Sequence, residues 1–356
     1  MVNSGAAAGA ERAAAVSVLP AWTSIQSLHY ESLINQQQML QDEVRTSAYQ
    51  RGILANRPDF EDKVVLDVGA GTGILAIFAA QAGARKVYAV EATSAAEYAR
   101  RLIAHNGLAD RVEVIHSTVA DLTLPEQVDV IICEPWGYFL FHERMIETLL
   151  LARDRFLRPE GKMLPATARA WLAPFTDHQL YMSRRVQLNF WRRTDFLGVD
   201  LTCLAEPVAQ DLFAQPILGT VPPAQLMASP TAFPYDFRTM KLDALAEIHM
   251  PFRFLAAHPG QINGLAGWFD VTFEGSRERV RLSTAPDAPP THWSQMRFVF
   301  AEPVDVQIGQ RFQGSLVLSA NEQASYTAQL NAVVKGKAVP PQEFRLHEYA
   351  GWHSPT

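Results

Sequence analysis

From Lys63 onward the chain alternates short apolar runs with amphipathic stretches. The runs Val64–Val68, Lys86–Val90, Val112–His116 and Val128–Cys133 have the length and β-branched content of buried strands. Between them, Ile74–Ala82, Ser94–His105 and Arg144–Phe156 carry apolar residues at helical spacing. That rhythm predicts a doubly wound α/β sheet of parallel strands. Ahead of it, Trp22 to Asn56 reads as helix, with Leu33, Met39, Leu40, Val44, Tyr49 and Ile53 near one face. After Pro159-Glu160-Gly161 the period changes to that of short strands cut by proline and glycine. Ala168–Ala173, Phe252–Ala256, Gly264–Phe273, Arg297–Phe300 and Gly314–Ser319 predict a β-barrel or sandwich. Asp177–Leu204, rich in aromatics and arginines, interrupts them as a helical excursion. The expected division is a flexible tail over 1–20, N-terminal helices and the α/β domain over 21–165, and a β-barrel domain over 166–356.

Composition narrows the partners. Hydrophobic residues make up 48% and charged residues 19% of 356 positions, so a two-domain chain can bury ample core. The formal net charge of −6 argues against phosphate-driven nucleic-acid binding and suits a basic partner. Cys133 and Cys203 are the only cysteines, which fits a reducing compartment and excludes a cysteine zinc cluster, so no metal is expected. No apolar run approaches membrane-spanning length, and the alanine-rich start lacks a basic n-region. A soluble cytoplasmic or nuclear protein is expected. Cys133 reads as a buried strand-end residue, and the Arg184-Arg185 and Arg192-Arg193 pairs as solvated faces.

Two segments carry chemistry. Asp67-Val68-Gly69-Ala70-Gly71-Thr72-Gly73-Ile74 follows a strand and opens a helix, but its glycines are spaced G-x-G-x-G rather than G-x-G-x-x-G. That spacing resembles the first motif of class I S-adenosylmethionine-dependent methyltransferases, in which an acidic residue ending the next strand takes the ribose hydroxyls. Glu91 stands there. The second segment, Glu134-Pro135-Trp136-Gly137-Tyr138-Phe139-Leu140-Phe141-His142-Glu143, brackets an aromatic loop with two carboxylates directly after a buried strand. Such a pair can grip a planar guanidinium through parallel hydrogen bonds, although solvated loop carboxylates would read the same.

Taken together, these segments resemble the type I protein arginine methyltransferases, most closely the coactivator-associated branch, from about Tyr30 to about Tyr349. Gln36-Gln37-Gln38, Met39-Leu40-Gln41-Asp42-Glu43-Val44-Arg45-Thr46, Ala82-Gly83-Ala84-Arg85, Leu172-Ala173-Pro174-Phe175-Thr176-Asp177 and Thr291-His292-Trp293 carry the likeness. The resemblance implies transfer of methyl from S-adenosylmethionine to arginine nitrogens of proteins such as histones or Gly/Arg-rich substrates, leaving S-adenosylhomocysteine. Arg45 would pair with the cofactor carboxylate, Glu91 with its ribose, and Asp67, Gly69, Gly71, Gly73 and Thr148 would complete its site. Glu134 and Glu143 would hold the guanidinium. His292 would pair with Asp42, and Met39 would shape the pocket beside the transferred methyl. Tyr30, Trp136, Tyr138 and Trp293 would wall the substrate pocket, and Asp177–Leu204 would be the arm of a homodimer. Met39 goes with mono- and asymmetric dimethylarginine in the family.

Three positions depart from the family pattern. Gln26 and Ser27 replace N-terminal helix aromatics. Ala120 replaces a glutamate that receives the adenine amino group, with Asp121 adjoining as a substitute. Trp136 replaces a methionine, and its bulk could crowd an already methylated nitrogen. An alternative is therefore a weakly active or non-catalytic partner subunit of another arginine methyltransferase; a small-molecule methyltransferase is a third reading.

Overall fold

The computed structural model describes residues 29–351. The N-terminal tail, Trp22, Gln26 and Ser27 lie outside the described residues. Where one N-terminal helix was expected, two stand end to end, α1 (Leu33–Gln41) and α2 (Glu43–Leu54). The break falls at Asp42, whose ψ of 84° ends α1 while its side chain accepts the Arg45 amide and caps α2. A short acidic side chain that can satisfy an orphan amide favours a cap over a helix interior.

Next come β1 (Val64–Val68), α3 (Ile74–Gln81), β2 (Lys86–Glu91), α4 (Ala95–His105), β3 (Val112–His116), β4 (Val128–Cys133), α5 (Met145–Phe156) and β5 (Leu157–Leu164). Their five strands form one sheet in the order β3-β2-β1-β4-β5, all parallel. Every residue of β1 is buried, as a central strand covered by helices on both faces requires. The strand order reverses between β1 and β4, so a crevice opens at the carboxyl ends of these two strands, beside Val68 and Cys133. Strand β5 is not expected from the sequence, because Pro159-Glu160-Gly161 reads as a break. The register slips between Val128 and Val130, and the three residues bulge out while Lys162–Leu164 resume the pairing.

The second half is antiparallel but for one short parallel pairing at the edge of a sheet. Strands β6 (Thr167–Phe175), β7 (Ile217–Gly219), β8 (Thr231–Asp236), β10 (Gly260–Glu274), β11 (Arg279–Ser283), β12 (Gln295–Val306) and β16 (Ala350–Gly351) form one sheet. Strands β9 (Glu247–Leu255), β13 (Arg311–Ala320), β14 (Tyr326–Val334) and β15 (Lys337–Arg345) form the other. The strict buried–exposed alternation of β9 turns Phe252 and Phe254 inward, where they meet Phe312. This matches the expected barrel of short strands.

The excursion holds α6 (His178–Phe190), capped by Asp177, and just past its expected end stands a second helix that the sequence pattern did not reveal, α7 (Ala205–Ala214). Met182, Val186, Phe190, Leu197 and Val199 are exposed along it. One expectation fails here: Arg184 is buried, not solvated, and burial pushes its guanidinium down to about 10.

Candidate active site

The crevice at the sheet's switch point opens into a cavity of about 700 Å³, large enough for a nucleoside-sized ligand and a side chain. Its floor is the glycine loop. Gly71 and Gly73 sit at φ of 54° and 82°, where a side chain is strained. A Cβ on Gly71 would also meet Gln36 Oε1 at 2.8 Å. Gln36 is 5% exposed and donates to the Tyr30 carbonyl, which lays the N-terminal segment across this turn.

Glu91 ends β2 beside the loop and is held by three donors: the Gly71 amide at 2.8 Å, the Thr93 amide at 2.8 Å and the Thr93 hydroxyl at 2.7 Å. Its carboxylate lines the cavity with orientation already set. Met39, Gly69, Ala120 and Thr148 also line the wall. Asp67 and Gly73 do not, which corrects their expected contact with a cofactor. Asp67 is fully buried under the turn. Burial raises it to about 7, with the Ala76 amide the chief counterweight. Asp121 is exposed and accepts from the Thr118 hydroxyl at 2.7 Å; it is not part of the cavity wall, so it does not stand in for the glutamate absent at Ala120.

Both carboxylates of the aromatic loop reach the cavity. Glu134 Oε2 accepts from Arg45 Nη2 at 2.9 Å, and its Oε1 has no partner. Arg45 also donates to the Met39 carbonyl at 3.3 Å, while its Nε is unsatisfied. Burial opposes the charge on Arg45, but Glu134 lies close enough to raise its pKa. The guanidinium expected to take a ligand carboxylate therefore rests here on Glu134.

Glu143 accepts a 2.5 Å hydrogen bond from the Tyr30 hydroxyl. Burial lifts Glu143 to about 7, the Tyr30 bond lowers it, and the charge of Glu134 raises it further. Burial, then Glu143, pushes the Tyr30 hydroxyl well above its ordinary range, so Tyr30 remains a donor.

His292 Nδ1 lies 2.6 Å from Asp42 Oδ2, and the His292 amide donates to the same oxygen at 2.8 Å. This joins the barrel to the junction of α1 and α2. Burial works against the Asp42 charge, yet the bonds from His292 and the Arg45 amide keep its carboxyl below its usual range. Trp293 is buried and donates to the Trp136 carbonyl at 2.8 Å.

Trp136 is placed differently from expectation. Its indole N–H donates to the Tyr49 hydroxyl at 2.8 Å and its ring packs on Phe237 at 5.2 Å. Tyr49 in turn donates to the Cys133 carbonyl at 3.0 Å. The bulk feared beside the acceptor is thus largely spent in the core, although part of Trp136 still lines the cavity. Tyr138 lines it too, with Tyr349 set edge-on at 4.8 Å.

Gln36 and Tyr349, which line the cavity, and Tyr49, which fixes Trp136 from behind, are residues that sequence reasoning missed. Gln36 lay within a recognised glutamine run, so position relative to the glycine loop was the only absent clue. Tyr49 looked like one more apolar helix position. Tyr349 follows the last long strand with no local signal. Among the described residues no group of side chains is arranged to hold a metal, and no helix is long and apolar enough to cross a membrane.

Comparison with known proteins agrees with this geometry. Residues 65–161 match a methyltransferase domain model, and residues 166–332 match the arginine methyltransferase oligomerization subdomain. A probable histone-arginine methyltransferase CARM1 of Oryza sativa subsp. indica is 47% identical over 308 residues, 86% of this chain and 58% of the relative. The chain thus spans 58% of the length of that curated relative. The solved protein arginine methyltransferase 10 of Arabidopsis thaliana, described as uniquely open, is 35% identical with a TM-score of 0.82, over 89% of this chain and 99% of that one. A Trypanosoma brucei PRMT1 enzyme–prozyme complex with AdoHcy is 33% identical with a TM-score of 0.81, over 89% and 99%. With coverage of nearly the whole of two solved arginine methyltransferases at 33–35% identity, and with the glycine loop and paired carboxylates in place, the chain belongs to the protein arginine methyltransferase family.

Proposed function

We propose that this chain transfers methyl groups from S-adenosylmethionine to arginine side chains of proteins, histones among them, and forms mono- and then asymmetric dimethylarginine. The observation that carries this reading is the convergence of Glu134 and Glu143, from opposite ends of one loop, on the cavity that Glu91 and the glycine loop also line. The residues present fit the cofactor. Glu91 presents an oriented acceptor for vicinal hydroxyls, Gly69 and Gly71 admit close approach, and Arg45 carries an unsatisfied Nε that would meet a ligand carboxylate. When bound, the cofactor supplies an electrophilic methyl on a sulfonium, so the protein needs no nucleophile of its own.

The chain's task is alignment and charge. Guanidinium has a pKa above about 12, so simple deprotonation at neutral pH is unfavourable. Glu134 and Glu143 instead draw the cation's charge toward the nitrogens they contact and hold the third nitrogen in line with the methyl. Tyr30, Met39 and Trp293 exclude water around it, which strengthens these contacts. The proton released as the N–C bond forms goes to Glu143 or to the Asp42–His292 pair. Arg45, which here pairs with Glu134, would hold the cofactor carboxylate and so leave Glu134 to the substrate.

The exposed apolar residues of α6 and the segment after it support a homodimer in which this arm meets a second copy. Histone substrates imply action in the nucleus. Purified protein incubated with labelled cofactor and a panel of basic polypeptides including histones should yield labelled arginine on digestion. Glu143→Gln should abolish transfer while S-adenosylhomocysteine still binds in calorimetry. Label on another residue type, or retained activity in the variant, would refute the reading.

A further inference from the structure

The loop from Glu134 to Glu143 is held in an unusual backbone. Phe139, Leu140, Glu143 and Arg144 have φ of 51°, 72°, 74° and 54°, all left-handed and none glycine. Such residues cost about 1–3 kcal/mol each and persist only where surrounding contacts over-determine them. Two of the four are Glu143 and its neighbour. The contacts that hold them come from the barrel, in the turn between β13 and β14.

On one side of Glu143, His142 Nδ1 lies 2.8 Å from the Ser325 hydroxyl. On the other, Arg144 Nη1 donates to the Asn321 carbonyl at 3.0 Å while its Nε pairs with Glu147 at 2.7 Å. Both Ser325 and Glu147 are essentially without exposure. The turn is itself rigid: Asn321 Oδ1 accepts the amides of Gln323 and Ser325, and the Asn321 amide donates to the Ser325 carbonyl at 2.9 Å. One rigid turn thus grips the residue before Glu143 and the residue after it. The Glu143 carboxylate is left pointing at Tyr30 and the cavity.

We propose that the Asn321–Ser325 turn is a positioning clamp for Glu143, acting through His142 and Arg144, so that barrel and catalytic loop set the carboxylate's direction jointly. Neither Ser325 nor Arg144 needs to touch substrate; their effect passes through Glu143. The clamp rests on the methyltransferase reading only for what Glu143 does once positioned.

Two variants test it. Ser325→Ala removes the hydroxyl that meets His142. Arg144→Lys keeps a cation for Glu147 but loses the fork that also reaches Asn321. In folded protein, confirmed by an unchanged circular dichroism spectrum, each should lower kcat on an arginine peptide by roughly ten- to a hundredfold, the cost of a small misplacement. The dissociation constant for S-adenosylhomocysteine should stay within about twofold, since neither Ser325 nor Arg144 lines the cavity. Hydrogen–deuterium exchange at residues 137–144 should quicken while exchange in β1 and β2 is unchanged. Unaltered exchange over 137–144 in both variants overturns the clamp whatever the substrate is. Faster exchange with kcat unaltered also overturns it, because the contacts would then be structural only. Wild-type protein that methylates no arginine would sink the functional reading alone, since the exchange measurement is independent of turnover.

Discussion

Trp136→Met discriminates between two views of the loop. Methionine is usual at this position in related enzymes, and on the sequence alone the larger indole could restrict dimethylation. In the structure Trp136 is 4% exposed, bonded to Tyr49 and packed at a tilt against Phe237. Truncating a buried tryptophan to alanine costs about 3–5 kcal/mol, and methionine refills part of the volume. The lost indole N–H···Oη bond adds about 1 kcal/mol, moderated because Tyr49 keeps its bond to Cys133. A net loss of about 2–4 kcal/mol follows from these two contributions. With roughly 2.1 cal/mol/K of unfolding entropy per residue over 356 residues, Tm should fall by about 3–5 °C if the chain unfolds as one unit. The ratio of monomethyl to asymmetric dimethyl product should hold steady. Differential scanning calorimetry and amino-acid analysis of an exhaustively methylated peptide measure the two quantities. A higher dimethyl fraction with no loss of Tm would show that the ring faces the acceptor after all.

Four further expectations rest on the site's electrostatics and surface. Glu143, raised to about 7, must be ionised to hold a guanidinium, so kcat/KM should rise with pH through about 7; a flat profile from pH 6 to 8 would count against the role. Stability should move the other way. Asp67, Glu143 and Glu147, each raised to about 7, bind protons more tightly folded than unfolded, so stability falls as pH climbs through 7. His142, lowered to about 4, opposes this only below its unfolded value of 6.5, so denaturant midpoints between pH 6.5 and 7.5 give the cleanest reading. Asp42→Asn retains an N-cap but loses the charge facing His292; helix content should be unchanged and kcat about tenfold lower, and full activity would remove Asp42–His292 from the mechanism. Leu197→Glu, at a residue 89% exposed on the arm, should shift light scattering toward monomer, and an unchanged mass would place the subunit contact elsewhere.

What could be read from the sequence divides along a physical line. The parallel strands, the glycine loop and Glu91 were legible because each is set by residues within a few positions: β-branched runs, left-handed glycines, a carboxylate ending a strand. Asp42–His292 was legible only through family resemblance, since 250 positions separate the pair. Strand β5 was hidden by Pro159 and Gly161, whose bulge keeps two incompatible residues inside a paired strand. Helix α7 was hidden because Pro207 reads as a break, although proline is tolerated in the first turn of a helix. The direction of Trp136 was illegible for a deeper reason. A loop's sequence lists its side chains but not which face each takes, and here that choice turns on left-handed residues at Phe139, Leu140, Glu143 and Arg144. None is glycine, so nothing local announces them. Ser325 and Asn321, almost two hundred positions away, bond to His142 and Arg144 on either side of Glu143. The two glutamates are therefore visible in the first domain's sequence, while the geometry that turns them toward one cavity belongs to the second.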